Sequence, residues 1–359
     1  MAEIVVVGGG IGGLAFARCA SRAGHRVTVV ERRESLESVG AGLVLSGAAV
    51  RAVARAGVGL GDVAQPIAGM LLRGPSGRRI EGRGKAVAIA RPALAALLDP
   101  RELGVEVMLG LSPEGPPVAA GSDGGERRAE VALADGRVLE ADLVVGADGL
   151  RSMVRSWVAP GRRVIDAGQL SWRAILPREA VPAGAGGASG SSAATETWDG
   201  QTRVGVVPLT EGRAYVFVVA SAPVGSAPEL PERSPSRESQ WALDAVRALP
   251  AGEVLRHRLE ELDRPAFGVE GAALLGDAAH AMTPNLGMGA AMAIGDAESL
   301  VSALERGVDG AVGRYARRRW PVVAPVRLGS RWLGRLAHSP GTLPRGARRA
   351  LGLQARRPR

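Results

Sequence analysis

Three glycines near the start of the chain have a spacing that a bound phosphate would explain. Gly8, Gly10 and Gly13 form a GxGxxG between the β-branched run Ile4 to Val7 and the helical stretch Leu14 to Ala23. In that context the first glycine makes a tight turn, the second lets a pyrophosphate reach backbone amides, and the third lets the helix pack on the strand. A second strand, Val27 to Val30, leads to Glu31, whose distance from Gly13 is close to the ~20 residues expected for an acid that hydrogen-bonds a ribose. Arg32 and Arg33 would suit a phosphorylated ribose, so this run indicates a dinucleotide without choosing one. The competing reading is a glycine-rich turn with no nucleotide, and the strand, helix and acid around the motif argue against it.

Two further blocks carry chemistry in their residue types. The apolar strand Ala272 to Leu275 runs into Gly276-Asp277, where a glycine admits a ligand to the backbone and a carboxylate can accept from hydroxyls. After Pro284, Gly287-Met288-Gly289 opens the apolar helical stretch Ala290 to Leu304, whose first amides and positive end suit an electron-rich oxygen. Between these regions, Ala141 to Arg155 holds Asp148-Gly149 followed by Ser152, which is also a fitting helix cap.

Together the three blocks, spanning positions 4 to 304, resemble the class A flavoprotein monooxygenases, the para-hydroxybenzoate hydroxylase-like family. The resemblance implies FAD, with Gly8, Gly10, Gly13, Glu31 and Arg32 at its adenosine and pyrophosphate end. Asp148 would lie near the pyrophosphate, in a segment also implicated in NADH or NADPH use. Gly276 and Asp277 would meet the ribityl chain, and Pro284, Gly287, Met288 and Gly289 the flavin ring. Arg91, at the start of the short helix Arg91-Pro-Ala-Leu-Ala-Ala-Leu-Leu, matches a flavin-contacting arginine. The implied reaction is reduction of FAD by NADH or NADPH, capture of dioxygen as a flavin hydroperoxide, and hydroxylation or epoxidation of a small aromatic or electron-rich substrate.

The chain departs from the family at Met288, where Gln is usual, at Ala291, where Asn is common, and at Ser46-Gly47, where Pro-Asn commonly follows a run like Gly40-Ala41-Gly42. Pro100 also stops the short helix early. The paired runs Thr202 to Pro208 and Gly212 to Tyr215 resemble the FAD-dependent urate hydroxylase subgroup. That likeness makes Arg203 and Tyr215 the catalytic candidates: Arg203 to hold an anionic substrate, Tyr215 to donate to a substrate oxygen. The bland alternatives are an exposed strand arginine and a tyrosine packed in a sheet. His257 reads as structural, and His280 as a residue that fixes its own motif.

These residues need elements to position them. With 359 residues, 46% of them hydrophobic, the chain can build two domains. The fold class expected is α/β: a Rossmann-type FAD-binding domain with a parallel sheet, from residues 1–65, 86–158 and 255–313. It is interleaved with an α+β substrate domain on an antiparallel sheet, from 66–85 and 159–254, whose strands lie in Met70 to Ile89 and Val204 to Ala220. Residues 314–359 read as basic C-terminal helices and a tail, and 113–126, 183–194 and 222–240 as loops.

Composition excludes several other classes. Cys19 is the only cysteine, so no internal disulfide forms, and a cytoplasmic location is expected. No signal-like start and no apolar run of ~18 residues appears. The four histidines lack metal-ligand spacing. The net charge of +9 comes from thirteen arginines without an acid in residues 314–359, and the rest of the chain is slightly acidic. With 3% aromatic residues, nucleic-acid binding is not expected. The favoured reading of the tail is a solvated arginine face on helices packed against the flavin domain, with membrane-surface contact as the alternative. The expected partners are a small-molecule substrate and dioxygen, in a monomer or homodimer. A flavin reductase, a halogenase or a non-catalytic nucleotide-binding partner protein remain open. A halogenase fits least, because Trp172-Arg-Ala-Ile-Leu-Pro177 has Ala174 in place of the second Trp of WxWxIP, and Lys85 lies in another segment.

All three motif blocks end before Arg314. Truncation from Pro340 should therefore leave FAD content and turnover of a soluble substrate near normal, and loss of either would give the tail a role in the chemistry.

Overall fold

The computed structural model describes residues 1–36, 42–74, 79–120, 128–183, 192–200, 202–226, 229–234 and 236–338. Its first sheet is built from Val- and Leu-rich strands buried on both faces, as parallel strands must be. Glu3–Val7 lies at the centre, with Arg26–Glu31 and then Glu106–Leu109 on one side, and Leu143–Gly146 and Ala272–Leu274 on the other, all parallel. Gly268–Val269 adds an antiparallel edge. This is the doubly wound order, and it switches direction between Glu3–Val7 and Leu143–Gly146, where ligands bind beyond the carboxyl ends of the strands. Helices Ile11–Arg22 and Gly289–Leu304 pack together within the core beside it.

The second sheet has eight strands, in the order Leu255–Leu262, Val164–Pro177, Arg213–Ser221, Thr202–Pro208, Ala194–Asp199, Ala64–Arg73, Arg79–Ala90 and Gly42–Ser46. It extends further than the expected substrate domain, because Gly42–Ser46 and Leu255–Leu262, from segments expected on the flavin side, pair into it. Arg79–Ala90 crosses the expected boundary at 85/86 and pairs with Gly42–Ser46, while Val164–Pro177 recruits Leu255–Leu262 by antiparallel pairing. One pair, Ala194–Asp199 with Ala64–Arg73, is parallel; the other pairs are antiparallel. On one face Trp172, Val204, Val206, Val216 and Val218 pack under helix Arg237–Ala248. That helix starts inside the expected loop 222–240, where the Ser236 hydroxyl caps it by accepting from the Ser239 amide. The expected loop 113–126 contains strand Val118–Ala120, part of a three-stranded sheet with Arg128–Ala132 and Val138–Ala141. Residues 121–126, 184–191, 227–228 and 235, together with Gly40, Ala41 and the tail beyond His338, lie outside the described residues.

Between Thr202–Pro208 and Arg213–Ser221 the chain turns through Glu211 (φ 56°) and Gly212 (φ 61°), two left-handed residues in succession that match the twist of a hairpin. The resulting register sets Arg203 opposite Val219 and Val207 opposite Tyr215. Side chains alternate along a strand, so Arg203 and Tyr215 share a face, the one turned away from helix Arg237–Ala248.

The described part of the C-terminal region is one helix, Ala311–His338, with Pro321 and Pro325 inside it. Its burial departs from the expected pattern in part: Arg317, Arg318 and Arg335 are exposed, but Arg319 and Arg327 are buried, while Trp320, Leu328 and Trp332 are exposed. The inward arginines find buried acceptors, whereas the indoles and the leucine point outward.

At the centre of the first sheet a Cβ on Gly13 would lie 1.9 Å from the Gly8 carbonyl oxygen, so helix and strand approach too closely for any side chain. Gly13→Ala should cost roughly 1–3 kcal/mol or more by overpacking, read as a lower denaturation midpoint. An unchanged midpoint would contradict this tight contact.

Candidate active site

The sheet order alone gathers the motifs. Gly8–Gly13 follows the central strand, Asp148-Gly149 follows Leu143–Gly146, and Gly276-Asp277 follows Ala272–Leu274, so three distant blocks meet at adjacent carboxyl ends of one sheet. The glycines differ in what surrounds them. A Cβ on Gly8 would meet the Ala147 carbonyl oxygen at 2.5 Å, whereas one on Gly10 would meet nothing within 4 Å. Gly8 and Gly13 therefore serve packing, and Gly10 presents open backbone. Gly287 and Gly289 are open in the same way, at the start of helix Gly289–Leu304.

Each motif carboxylate is engaged differently. Glu31 accepts from the Gly9 amide at 2.6 Å and the Arg33 amide at 3.0 Å, fixing the glycine loop, while Arg32 is exposed. Asp148 accepts through Oδ2 from the amides of Met153 and Val154, and its buried Oδ1 has no protein partner. Ser152 caps the same helix, and Arg155 donates to the carbonyls of Leu150 and Ala278, tying the second block to the third. Asp277 is exposed within a recess; enclosure by protein raises its carboxyl above the usual range, against the opposing pull of His280 and Arg91, and exposure tempers the shift. Arg91 begins helix Arg91–Leu97; burial lowers its pKa, and the nearby charge of Asp277 opposes that.

Beneath the third block lies a carboxylate that sequence reasoning missed. Asp296 is fully buried and accepts from the Gly276 amide at 2.8 Å, pairs with His280 Nε2 at 2.6 Å, and accepts from Arg319 Nε at 2.6 Å. Burial alone would raise its carboxyl, but His280, Arg319 and the Gly276 amide outweigh burial and hold it below the ordinary range. The available signal was an acid just beyond the apolar run Ala290 to Ile294. His280 thus fixes its motif, in line with the sequence reading.

The sheet face opposite helix Arg237–Ala248 closes the site. Arg203 is 3% exposed, so it is no surface residue. Its guanidinium donates to Glu196 Oε1 at 2.7 Å and to Asn285 Oδ1 at 2.5 Å. Asn285 in turn donates to Thr283 Oγ1 and to the Ser330 carbonyl, joining the sheet, the Pro284–Leu286 turn and the C-terminal helix. Tyr215 lies further along that face in an apolar cluster with Val207, Phe217, Ile175 and Leu255. A Cβ on Gly42 would strike the Tyr215 side chain at 2.5 Å, so that glycine makes room for the ring.

Arg173, also missed, shares this face. It hydrogen-bonds Tyr215, and its Nη2 donates to His257 Nδ1 at 3.0 Å, while its buried Nε has no protein partner. Its register opposite Phe217 was legible only once the strands had been paired. Burial pushes the Tyr215 phenol up to about 12. Burial, then the charges of Arg173 and Arg91, lower His257 below the ordinary histidine value. A separate recess of about 510 Å³ beside Cys19, Arg55, Glu298 and Arg318 lies at the other end of helices Ile11–Arg22 and Gly289–Leu304; burial pushes the Cys19 thiol up to about 11.

The family described as FAD binding domain matches residues 118–326, and an NAD(P)-binding Rossmann-like domain matches 6–36. Aurachin C monooxygenase/isomerase of Stigmatella aurantiaca is 33% identical over 87% of this chain and 83% of its own length. The chain belongs to the class A FAD-dependent aromatic monooxygenases. The 2-heptyl-3-hydroxy-4(1H)-quinolone synthase of Pseudomonas aeruginosa is 32% identical to this monooxygenase over 82% of this chain and 78% of its own. The FAD-dependent urate hydroxylase of Klebsiella oxytoca is 28% identical over 92% and 88%. Klebsiella pneumoniae HpxO complexed with FAD and uric acid shares the fold, with a TM-score of 0.77, 22% identity and coverage of 94% of this chain and 88% of that one. The monooxygenase is thus an oxidoreductase that uses FAD and dioxygen, as its motifs led us to expect.

Removing Asp296 leaves His280 and Arg319 buried without their partner. Asp296→Ala should cost about 3–5 kcal/mol, read by chemical denaturation, and should lower FAD retention because Gly276 loses its anchor. A variant as stable as the parent would show that the buried trio carries no net energy.

Proposed function

We propose that this monooxygenase oxygenates a planar heteroaromatic substrate of the 4-quinolone kind, one that becomes more anionic as it reacts. The observation that carries this reading is Arg173, a cation tethered by Tyr215 and His257, with one N–H left unpaired on an apolar wall. The relatives named for aurachin C and for a heptyl quinolone support it, since a quinolone has a flat apolar body and an acidic edge. A fixed guanidinium stabilises negative charge as it grows, which raises the nucleophilicity of the ring without taking its proton.

For the cofactor, we assign the adenosine and pyrophosphate end to Gly8, Gly10, Gly13, Glu31, Arg32 and Asp148. The open side of Gly10 suits a pyrophosphate approaching the backbone, and the unpartnered Oδ1 of Asp148 can accept from a ribose hydroxyl beside it. Gly276, Asp277 and Arg91 are assigned to the ribityl region, and Pro284, Gly287, Met288 and Gly289 to the ring. When bound, FAD supplies electron transfer from NADH or NADPH and activation of dioxygen. The amides at the start of helix Gly289–Leu304 favour an anionic ring. Arg203, expected at first to hold the substrate, is better suited to positioning the ring loop, since Glu196 and Asn285 occupy its donors. We keep the expected division at 65, 86, 158, 255 and 313 as a functional proposal, with the second sheet reaching across it. A cytoplasmic location accords with the single cysteine.

His257 must be neutral to accept from Arg173, and its lowered pKa keeps it so at neutral pH. The tether is therefore lost only as pH falls below the ordinary histidine value of about 6.5. Tyr215 keeps its proton throughout the working range. Arg173→Gln should lower oxygenation of an alkyl-4-quinolone by roughly 10²-fold with FAD content unchanged, the lost product appearing as hydrogen peroxide. His257→Gln should remove an acid limb from the pH profile. Arg203→Ala, in contrast, should lower FAD content. An unchanged product-to-peroxide ratio in Arg173→Gln would overturn the assignment, and FAD retained in full by Arg203→Ala would return Arg203 to the substrate.

A further inference from the structure

We propose that the outer face of helix Ala311–His338 docks the protein onto an anionic lipid bilayer surface. Pro321, Pro325, Leu328 and Trp332 recur at spacings of four, three and four, so they line one side of the helix, the side that faces away from the protein. Leu328 is 55% and Trp332 67% exposed, and Trp320 and Val322 flank the stripe at 50% and 43%. Four large apolar side chains exposed on one helix are not the scattered exposure of an ordinary surface.

The inner face of the helix is already engaged. Val312, Tyr315 and Val323 enter the main core, Arg319 and Arg327 turn inward to Asp296 and to the Leu262 carbonyl, and Arg331 donates to Glu261, so the helix is held without the stripe. Its indoles and leucine contribute little to that docking and are left facing water. Trp320 makes a T-shaped contact with Phe267.

Charge selects the occupant. Arg317, Arg318 and Arg335 are exposed beside or at the ends of the stripe. Residues 339–359 add six more arginines and no acid. A second copy meeting the first through this face would set these like charges together without a single acidic residue from the region, which opposes a symmetric dimer. An anionic headgroup layer satisfies both features: arginines pair with phosphates while tryptophan and leucine sink to the acyl boundary. No described helix is long and apolar enough to cross a membrane, so the contact is one of lying on the surface. The helix also abuts the cleft loop, where the exposed Leu286 lies beside Gly329. Docking would thus bring that loop close to the lipid, a suitable source for an alkylated apolar substrate. The docking itself does not depend on the quinolone reading.

The full-length FAD-loaded protein can be sedimented with vesicles of phosphatidylcholine alone and of phosphatidylcholine with phosphatidylglycerol, at roughly 0.15 M salt. It should pellet with the anionic vesicles and much less with the neutral ones. The double variant Leu328→Gln, Trp332→Gln should bind at least about tenfold more weakly, as expected for two lost apolar insertions. Its flavin absorbance and melting temperature should match the parent, which excludes misfolding. No pelleting with anionic vesicles would overturn the proposal. So would a variant that binds as tightly as the parent, because the tail arginines alone would then be responsible. A parent dimer in sedimentation velocity that the variant dissolves would assign the face to a second copy instead. None of these readouts needs turnover, so a failed substrate assignment leaves the test intact.

Discussion

One buried carboxylate holds the third motif block to the rest of the protein. Asp296 sits on a helix that begins at the ring loop, yet it accepts from a backbone amide at the end of a strand, from a histidine one turn later and from an arginine on the last helix. A carboxylate taken fully out of water is costly unless its lone pairs are met. Here three donors meet it, so strand end, ring-loop helix and terminal helix must take up one relative arrangement. Gly276 is pinned with a positive φ of 59°, a conformation that a side chain would resist, and Asp277 follows directly into the recess.

A second polar knot does the same for the other wall. Arg203 spans from the sheet to Asn285, which is itself held by Thr283 and Ser330. The two knots share the C-terminal helix, through Arg319 in one and Ser330 in the other. That helix consequently braces the site although it carries none of the family motifs. Its inward arginines and outward tryptophans follow from the same fact: buried acceptors at Asp296, Glu261 and the Leu262 carbonyl call for cations on the inner side.

Local patterns made much of this legible from sequence. The glycines at 8, 10 and 13 announce a strand, turn and helix within ten residues, and the short turn at 211–212 correctly pairs the strands that carry Arg203 and Tyr215. What escaped was non-local. Asp296 looks like a polar intrusion until Gly276, His280 and Arg319 are brought to it, and Arg173 becomes a site residue only when three strands set it beside Tyr215 and His257. In the terminal helix, sequence shows each arginine's charge and hides the buried acceptors that turn Arg319 and Arg327 inward. Nothing in the residues of the edge strands Gly42–Ser46 and Leu255–Leu262 states which sheet they join, so only pairing reveals it.

The central claim is that these two walls direct one atom of dioxygen into an electron-rich ring. Turnover of an alkyl-4-quinolone with NADH or NADPH in isotopically labelled dioxygen, followed by mass spectrometry of the product, tests it most directly. The account predicts a product that carries the label, with cofactor oxidation accelerated by the substrate. Label found only in peroxide, or product oxygen drawn from water, would contradict it.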